Sequence, residues 1–334
     1  MPNPANANPS LSAGDGTPPP PKKKLSRPKL AAIIVASFLV LLLAWPIGLL
    51  IWANGHIEHV AALSGAPNTP GTTWLIAGSD ARGSGGVEVA DDVSGQRSDT
   101  IMVLHRPSSG PTALISIPRD SFVEIPGHNA SKINASFAWG GPQLLVETVE
   151  KLSGLTIDHY VEVGFGGVVD VVDAIGTVNL CSDLTVDEPH SGLKWEPGCH
   201  DVDGKTALAF ARMRYQDPQG DIGRAERQQQ VIGAIGREVA NAGTLFNPGE
   251  QIGLLRAGVG ALAIDDDSNI LDLGQMAWAF TRASGANGIK GTPPLGSLNY
   301  HGGSVQLDPD LGPQFWKDIE QGNLPPGPVG GWPQ

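Results

Sequence analysis

The chain has 334 residues, 34 acidic and 22 basic, and a formal charge of −12. So acidic a body argues against general nucleic-acid binding. The length suits one large domain or two modest ones, and with no internal repeat to divide it we read one. Residues 1–29, with PNPANANPS and GTPPPPKKK, hold too little apolar content to offset the entropy of ordering, and read as a disordered cytoplasmic tail. From Leu30 to Ala53 there is no charged residue. At about 1.5 Å per residue this run is roughly 36 Å long, enough to cross a bilayer and longer than the apolar part of a cleaved signal peptide. Pro46 within it is tolerable in a membrane helix. Lys22, Lys23, Lys24, Arg27 and Lys29 precede the run. Basic residues stay on the cytoplasmic side, so the reading is a single-pass cell-membrane protein with its N-terminus inside and its bulk extracytoplasmic. Residues 54–70 are expected to be a linker, 71–323 the domain, and 324–334 a Pro/Gly-rich tail.

Short β-branched or alternating runs at 72–78, 99–105, 112–117, 159–163 and 177–181 read as strands. Helical patterns follow at 142–153, 166–175 with Gly176 as a stop, 203–213, 221–241, 249–262 and 269–282. Their irregular alternation predicts an α/β fold, an α-β-α sandwich around a mixed central sheet, preceded by one transmembrane helix. The segments GLLRAGVGALAI and ILDLGQMAWAF are unusually apolar, as core elements or as the wall of a lipid-sized cavity.

Cys181 and Cys199 are the two cysteines of the chain. Outside the membrane two thiols are more often paired than free, and the spacing fits no redox or zinc motif, so a structural disulfide is expected. Asp80 follows the first strand and Asp99 opens the second. Two hard oxygen ligands brought close suit a magnesium ion that also takes phosphate oxygens. Singly, Asp80 reads as a turn cap and Asp99 as a partner of Arg97 or Arg82. Arg119 ends the third strand, and Lys132 and Asn134 lie on the next loop. Further on come Arg212, Arg214, Asp217, Asp221, Arg224, Arg227 and Gln228. On a helix Arg224, Arg227 and Gln228 share a face, with Ile232, Ile235 and Val239 supplying a stripe toward the core. Arginine is favoured where paired hydrogen bonds to phosphate are needed. Beside two carboxylates, such a set points to phosphoryl or pyrophosphate chemistry. There is no P-loop, GxSxG or HExxH, and the eight histidines lack metal-ligand spacing.

The ordered motifs GSDAR, RSDTIMV, SIPRDS, KINASFAWGG, VDVVDAIGTV, DGKTALAFARMRY and DIGRAERQQQ resemble the LytR-CpsA-Psr family of cell-wall glycopolymer ligases over roughly residues 72–241. The resemblance implies a hydrophobic tunnel for a polyprenyl chain. It also implies magnesium-dependent transfer of a phosphate-linked glycopolymer from a polyprenyl pyrophosphate to a peptidoglycan hydroxyl. Carried over by position, Asp80 and Asp99 become magnesium ligands. Arg97, Arg119, Arg212, Arg214, Arg224 and Arg227 become pyrophosphate binders, with Asp99, Arg97, Arg119, Arg212 and Arg214 as the catalytic set. Gln228 becomes a head-group contact, Asp221 a partner that orients the arginines, and Lys132 and Asn134 members of the family's loop. The rival readings are a hydrolase of the polyprenyl pyrophosphate, with water as acceptor, and a non-catalytic membrane sensor or regulator of the envelope.

Overall fold

A computed structural model describes residues 27–79, 98–218, 221–239 and 247–331. The chain divides into a first unit, Met1–Gly48, and a second, Leu49–Gln334. The first unit contains most of helix α1 (Arg27–Asn54), whose segment Ala31–Asn54 is the one described helix long and apolar enough to cross a membrane. The last turn of α1 falls in the second unit, where Ala53 and Ile57 are buried and the Asn54 side chain accepts a hydrogen bond from Ile270 N.

A mixed sheet of nine strands organises the second unit. Its path runs β1 (Glu58–Val60), β12 (Leu262–Asp265), β7 (His159–Gly164), β2 (Thr72–Ser79), β3 (Ser98–Arg106), β4 (Ala113–Ile117), β13 (Ile289–Tyr300), β14 (Ser304–Leu307), with β15 (Gly327–Gly331) also on β13. The central strands are apolar on both faces because both are covered. Leu75, Ala77, Ile101, Val103 and Ile115 pack on one side with α2 (Asn134–Ser153) and α8 (Gly312–Gln321). Trp74, Ile76, Met102, Leu104 and Leu114 pack on the other with α7 (Ile270–Ser284). This is the α-β-α sandwich expected from the sequence.

A lobe with its own core follows β7. It is built from α3 (Phe165–Ile175), β8 (Val178–Ser182), β9 (Val186–Glu188), β10 (Leu193–Trp195), β11 (Gly198–Val202), α4 (Gly204–Arg212) and α5 (Asp221–Val239), around Leu180, Trp195, Phe210, Met213 and Val231. Cys181 faces Cys199 across the antiparallel β8–β11 pair, and the two form a disulfide. Helix α6 (Pro248–Ala261) packs on α3, where Gly167 makes room for Ala261. Only Ala261 of α6 is buried, and its Ile252, Leu254 and Leu255 stay half-exposed.

Several segments differ from expectation. Helix α2 begins at Asn134, but Gly140 and Gly141 are non-helical, Gly141 with φ +65°, and Pro142 starts the second segment at the predicted position. Part of the expected linker is β1, parallel to β12. Part of the expected tail is β15, hydrogen-bonded to Ile289–Pro294 of β13. Strand β13 itself was hidden by Pro293 and Pro294, which demote a strand reading. It pairs with β4 only over Ile289–Gly291, then leaves to form a hairpin with β14.

Candidate anion site at the junction of sheet and lobe

The chain leaving β4 turns at Pro118, whose carbonyl accepts from Ser121 N at 2.9 Å. Strand β6 (Ser131–Lys132) folds back on β5 (Phe122–Val123), with Ile133 N bonded to Ser121 O at 2.8 Å and Asn134 N to Arg119 O at 3.2 Å. These bonds bring Lys132 over Asp120. Its Nζ lies 3.0 Å from Asp120 Oδ1, while Arg119 Nε is 3.9 Å and Arg214 Nη2 3.8 Å from Asp120 Oδ2. The Asp120 side chain is 11% exposed, whereas Lys132 and Arg214 keep 38% and 32%. Three cations thus converge on one carboxylate, and Lys132 and Arg214 keep part of their surface open to solvent.

Arg214 arrives from the lobe on a tightly held turn. Helix α4 starts at Asp203, whose carboxylate accepts from Thr206 N at 2.9 Å. Past its end, Arg227 of α5 donates Nε to Phe210 O, Nη2 to Met213 O and Nη1 to Asp217 Oδ2. A guanidinium at the last turn of a helix satisfies carbonyls that the helix leaves open and favours its dipole. The buried Glu188 of β9 accepts from Arg214 N and Gln216 N. Gln216 in turn exchanges hydrogen bonds with the backbone of Asp187. Gly223 is required because a Cβ there would strike the Asp217 carboxylate.

The structure therefore gathers Arg119, Lys132 and Arg214 around Asp120. Arg227 is buried, with its donors on Phe210, Met213 and Asp217, which places it as a brace under the site. Arg224 is also buried, Arg212 and Gln228 are half-buried on the same lobe, and the backbone N–H of Asn134 anchors the β6 turn. Asp80 and Arg97, and the side chains of Asp99 and Asp221, lie outside the described residues. The backbone at Asp99 is informative: Gly78 pairs with Thr100 and Ser79 with Ser98, so Asp99 is the extra residue of a β-bulge. Bulges re-aim side chains and recur beside functional sites. Among the described residues no group of three His, Cys, Asp or Glu side chains forms a metal cluster.

The sequence reading passed over Asp120, the carboxylate that gathers the cations, although it stands beside Arg119 in SIPRDS. It also passed over Glu188, and over Gln229, whose Nε2 donates to Ser116 Oγ at 2.9 Å and ties α5 to β4. For Asp120 the available signal was an acid within a stretch otherwise read for its bases. Glu188 gave none, since its partners are backbone amides 26 and 28 residues away.

A family profile, LytR_cpsA_psr, matches residues 53–278, which span six of the nine sheet strands, the lobe and the Asp120 cluster. The chain belongs to the LytR_cpsA_psr family. A relative from Corynebacterium glutamicum, "Probable cell wall biosynthesis protein LcpB", is 34% identical over 318 residues, covering 91% of this chain and 74% of that one. The Enterococcus faecalis "Polyisoprenyl-teichoic acid--peptidoglycan teichoic acid transferase TagU" is 37% identical over 166 residues, 48% of this chain and 54% of that one. Among solved structures, the "LytR-Csp2A-Psr enzyme from Actinomyces oris" superposes with a TM-score of 0.62 at 19% identity, covering 79% of this chain and 96% of that one, which shows a shared fold. In this LytR_cpsA_psr member β15, α8 and the β13–β14 hairpin all lie beyond the matched region.

Proposed function

We propose that the protein transfers a phosphate-linked glycopolymer from a polyprenyl pyrophosphate carrier to a peptidoglycan hydroxyl, from a membrane anchor that leaves the folded unit outside the cell. The observation that carries this reading is the convergence of Arg119, Lys132 and Arg214 on the single carboxylate of Asp120, at the junction of sheet and lobe. Cell-wall relatives that include a teichoic acid transferase support it.

In this reading the pyrophosphate displaces solvent at the cluster, and Arg119, Arg214 and Lys132 hold its oxygens by charge-assisted hydrogen bonds. Asp120 keeps the three cations from splaying apart. Arg212, half-buried, adds a guanidinium on the lobe and buried Arg224 supports it from within, while Arg97 and Gln228 complete the donor's head-group contacts. The acceptor oxygen attacks the phosphorus that bears the glycan. Its bond to the bridging oxygen breaks, polyprenyl monophosphate leaves, and the hydroxyl proton passes to solvent. Positioning and charge neutralisation account for most of the catalysis in such transfers. The half-exposed apolar residues of α6 offer surface for the polyprenyl chain.

Magnesium fits the donor set. Asp99 occupies a bulge opposite Gly78 and Ser79, and Asp80 follows Ser79 in sequence, which supports this reading. Asp80 and Asp99 would hold the ion, and when bound it would neutralise charge on the pyrophosphate oxygens. The test is to incubate full-length protein in nanodiscs with a labelled polyprenyl-pyrophosphate glycan and peptidoglycan oligomers. Label on the peptidoglycan that depends on magnesium and is lost in Arg119→Ala is the expected result. Release of the label only as free glycan phosphate would establish a hydrolase, and absence of turnover with any carrier would contradict catalysis altogether.

A further inference from the structure

A cavity of about 290 Å³ opens beside the Asp120 cluster, between β5, the end of α2, β14 and the start of α8. Phe122 and Pro313 give it accessible apolar walls over a floor of buried Pro293 and Trp316, while Glu124, Lys151 and Asp308 supply charge. Phe122 ties it to the cluster. It stands two residues from Asp120, about 7 Å along an extended chain, and it is the cross-strand partner of Lys132, the cation 3.0 Å from Asp120. Residues directly opposite in an antiparallel pair share a face, so Phe122 and Lys132 lie on one side of the β5–β6 ribbon.

The opposite flank of the ribbon is also fixed. Val305 N of β14 bonds to Asp120 O at 2.8 Å, and Ser121 bridges to Val305. At the tip of the β13–β14 hairpin, His301 stacks on Phe122 with ring centroids 5.0 Å apart, and Tyr300 meets the same ring edge-on at 5.6 Å. His301 has φ +40°, the one non-glycine residue with positive φ among those described. Backbone strain of this kind persists where surrounding contacts over-determine it and clusters at ligand sites.

The lining discriminates among ligand classes. An acyl chain would cover the half-buried Asp308 carboxylate and gain no partner from the exposed rim charges of Glu124 and Lys151. An anion would meet Glu124 and Asp308 against the single cation Lys151. A sugar ring offers an apolar face to Phe122 and Pro313, which keep accessible surface on the cavity, and hydroxyl donors to the carboxylates. Lys151 Nζ sits 2.9 Å from Glu124, and its hydrogen bond holds that carboxyl below the usual range, so the acceptor oxygen persists in neutral solution.

We propose that this cavity is a saccharide subsite, holding an amino-sugar ring of the acceptor strand next to the ring whose hydroxyl is presented at the Asp120 cluster. The identity of the sugar as acceptor rests on the transfer reading above; the subsite itself does not. Gly312 lines the cavity, and a Cβ there would meet nothing within 4 Å, so Gly312→Phe projects a ring into the space. Because Pro313 restricts the residue before it, the thermal midpoint is followed in parallel, and Glu124→Gln on the exposed rim serves as a second variant.

Full-length protein in nanodiscs is titrated calorimetrically with the peptide-free N-acetylglucosamine–N-acetylmuramic acid disaccharide, with the stem peptide alone, and with polyprenyl pyrophosphate. The disaccharide is expected to bind saturably to the wild type and about tenfold more weakly, or worse, to Gly312→Phe. Glu124→Gln is expected to weaken it by about threefold, and both variants should bind the polyprenyl pyrophosphate as the wild type does. Disaccharide binding equal in wild type and both variants, binding of the stem peptide in place of the disaccharide, or no saccharide binding at all would overturn the subsite. Saccharide binding that follows the cavity in a protein without transfer would instead overturn the transfer reading and leave the subsite standing.

Discussion

Lys132 and Arg214 reach the same carboxylate from two differently built regions. On the sheet side, Lys132 stands on a two-residue strand, half-exposed, and its Asp120 contact is a partly screened ion pair. On the lobe side, the Arg214 turn is fixed by buried Glu188, by Arg227 beneath it and by a disulfide across β8–β11. The difference shows where the precision of such a site resides. A surface cation can be repositioned at little cost, whereas the lobe's frame carries buried charges that cannot lose a partner. One side of the site is therefore adjustable and the other rigid, which suits a fixed phosphate cradle meeting a variable partner.

Several changes should break or sharpen that contrast. The largest effect is expected for Arg227→Met, which strips Phe210 O and Met213 O of a donor and takes the Arg227 guanidinium away from the Asp217 carboxylate, 4% exposed. Breaking a buried pair from one side costs about 3–5 kcal/mol, readable as a lower midpoint in chemical denaturation. Removing the disulfide as Cys181→Ser/Cys199→Ser frees a crosslink of sequence separation 18 and is expected to cost about 3 kcal/mol. Donor affinity should fall with it, because the lobe frames Arg214; unchanged affinity would mean that the hydrogen bonds alone suffice.

Acid should test the sheet instead. His105 is fully buried in β3, between Thr73 Oγ1 at 3.0 Å and Glu320 O at 3.3 Å. Burial depresses its pKa to about 4, partly opposed by the bond to Glu320. The unfolded chain takes up the proton first, so His105 leaves stability unaffected above about pH 6.5 and lowers it as pH falls toward 4. The full loss is on the order of 3 kcal/mol. His105→Gln should flatten that part of the pH–stability curve while leaving the lobe's hydrogen-exchange protection unchanged. The smallest stability effect is expected for Lys132→Met, within about 1 kcal/mol since the pair is partly exposed, yet transfer should drop by about tenfold or more.

Much of the sheet could be read from the chain. The runs at 72–78 and 99–105 are apolar on both faces because helices cover both, and such runs announce themselves. Strand β13 did not, since Pro293 and Pro294 contradict a ladder and only its first residues pair with β4. Strand β15 is short and glycine-rich, so its place in the sheet depends on a partner far away in sequence. The site was legible in its cations and not in its geometry. The helical spacing of Arg224, Arg227 and Gln228 puts them on one surface, but whether a guanidinium braces a turn or faces a ligand depends on the carbonyls of Phe210 and Met213. Asp221 was the expected partner of the arginines, while the described pair to Arg227 is Asp217, delivered by the turn between α4 and α5. That pairing is set by the turn and by the absence of a side chain at Gly223.

The most direct test of the cradle is the affinity of the full-length protein for polyprenyl pyrophosphate in nanodiscs, compared among wild type, Arg119→Gln and Arg214→Gln. Hydrogen bonds to charged groups contribute about 1.5–3 kcal/mol each, so each substitution should weaken binding by roughly 10- to 100-fold with the thermal midpoint nearly unchanged. Wild-type affinity in both variants would contradict the assignment of the Asp120 cluster as the pyrophosphate site.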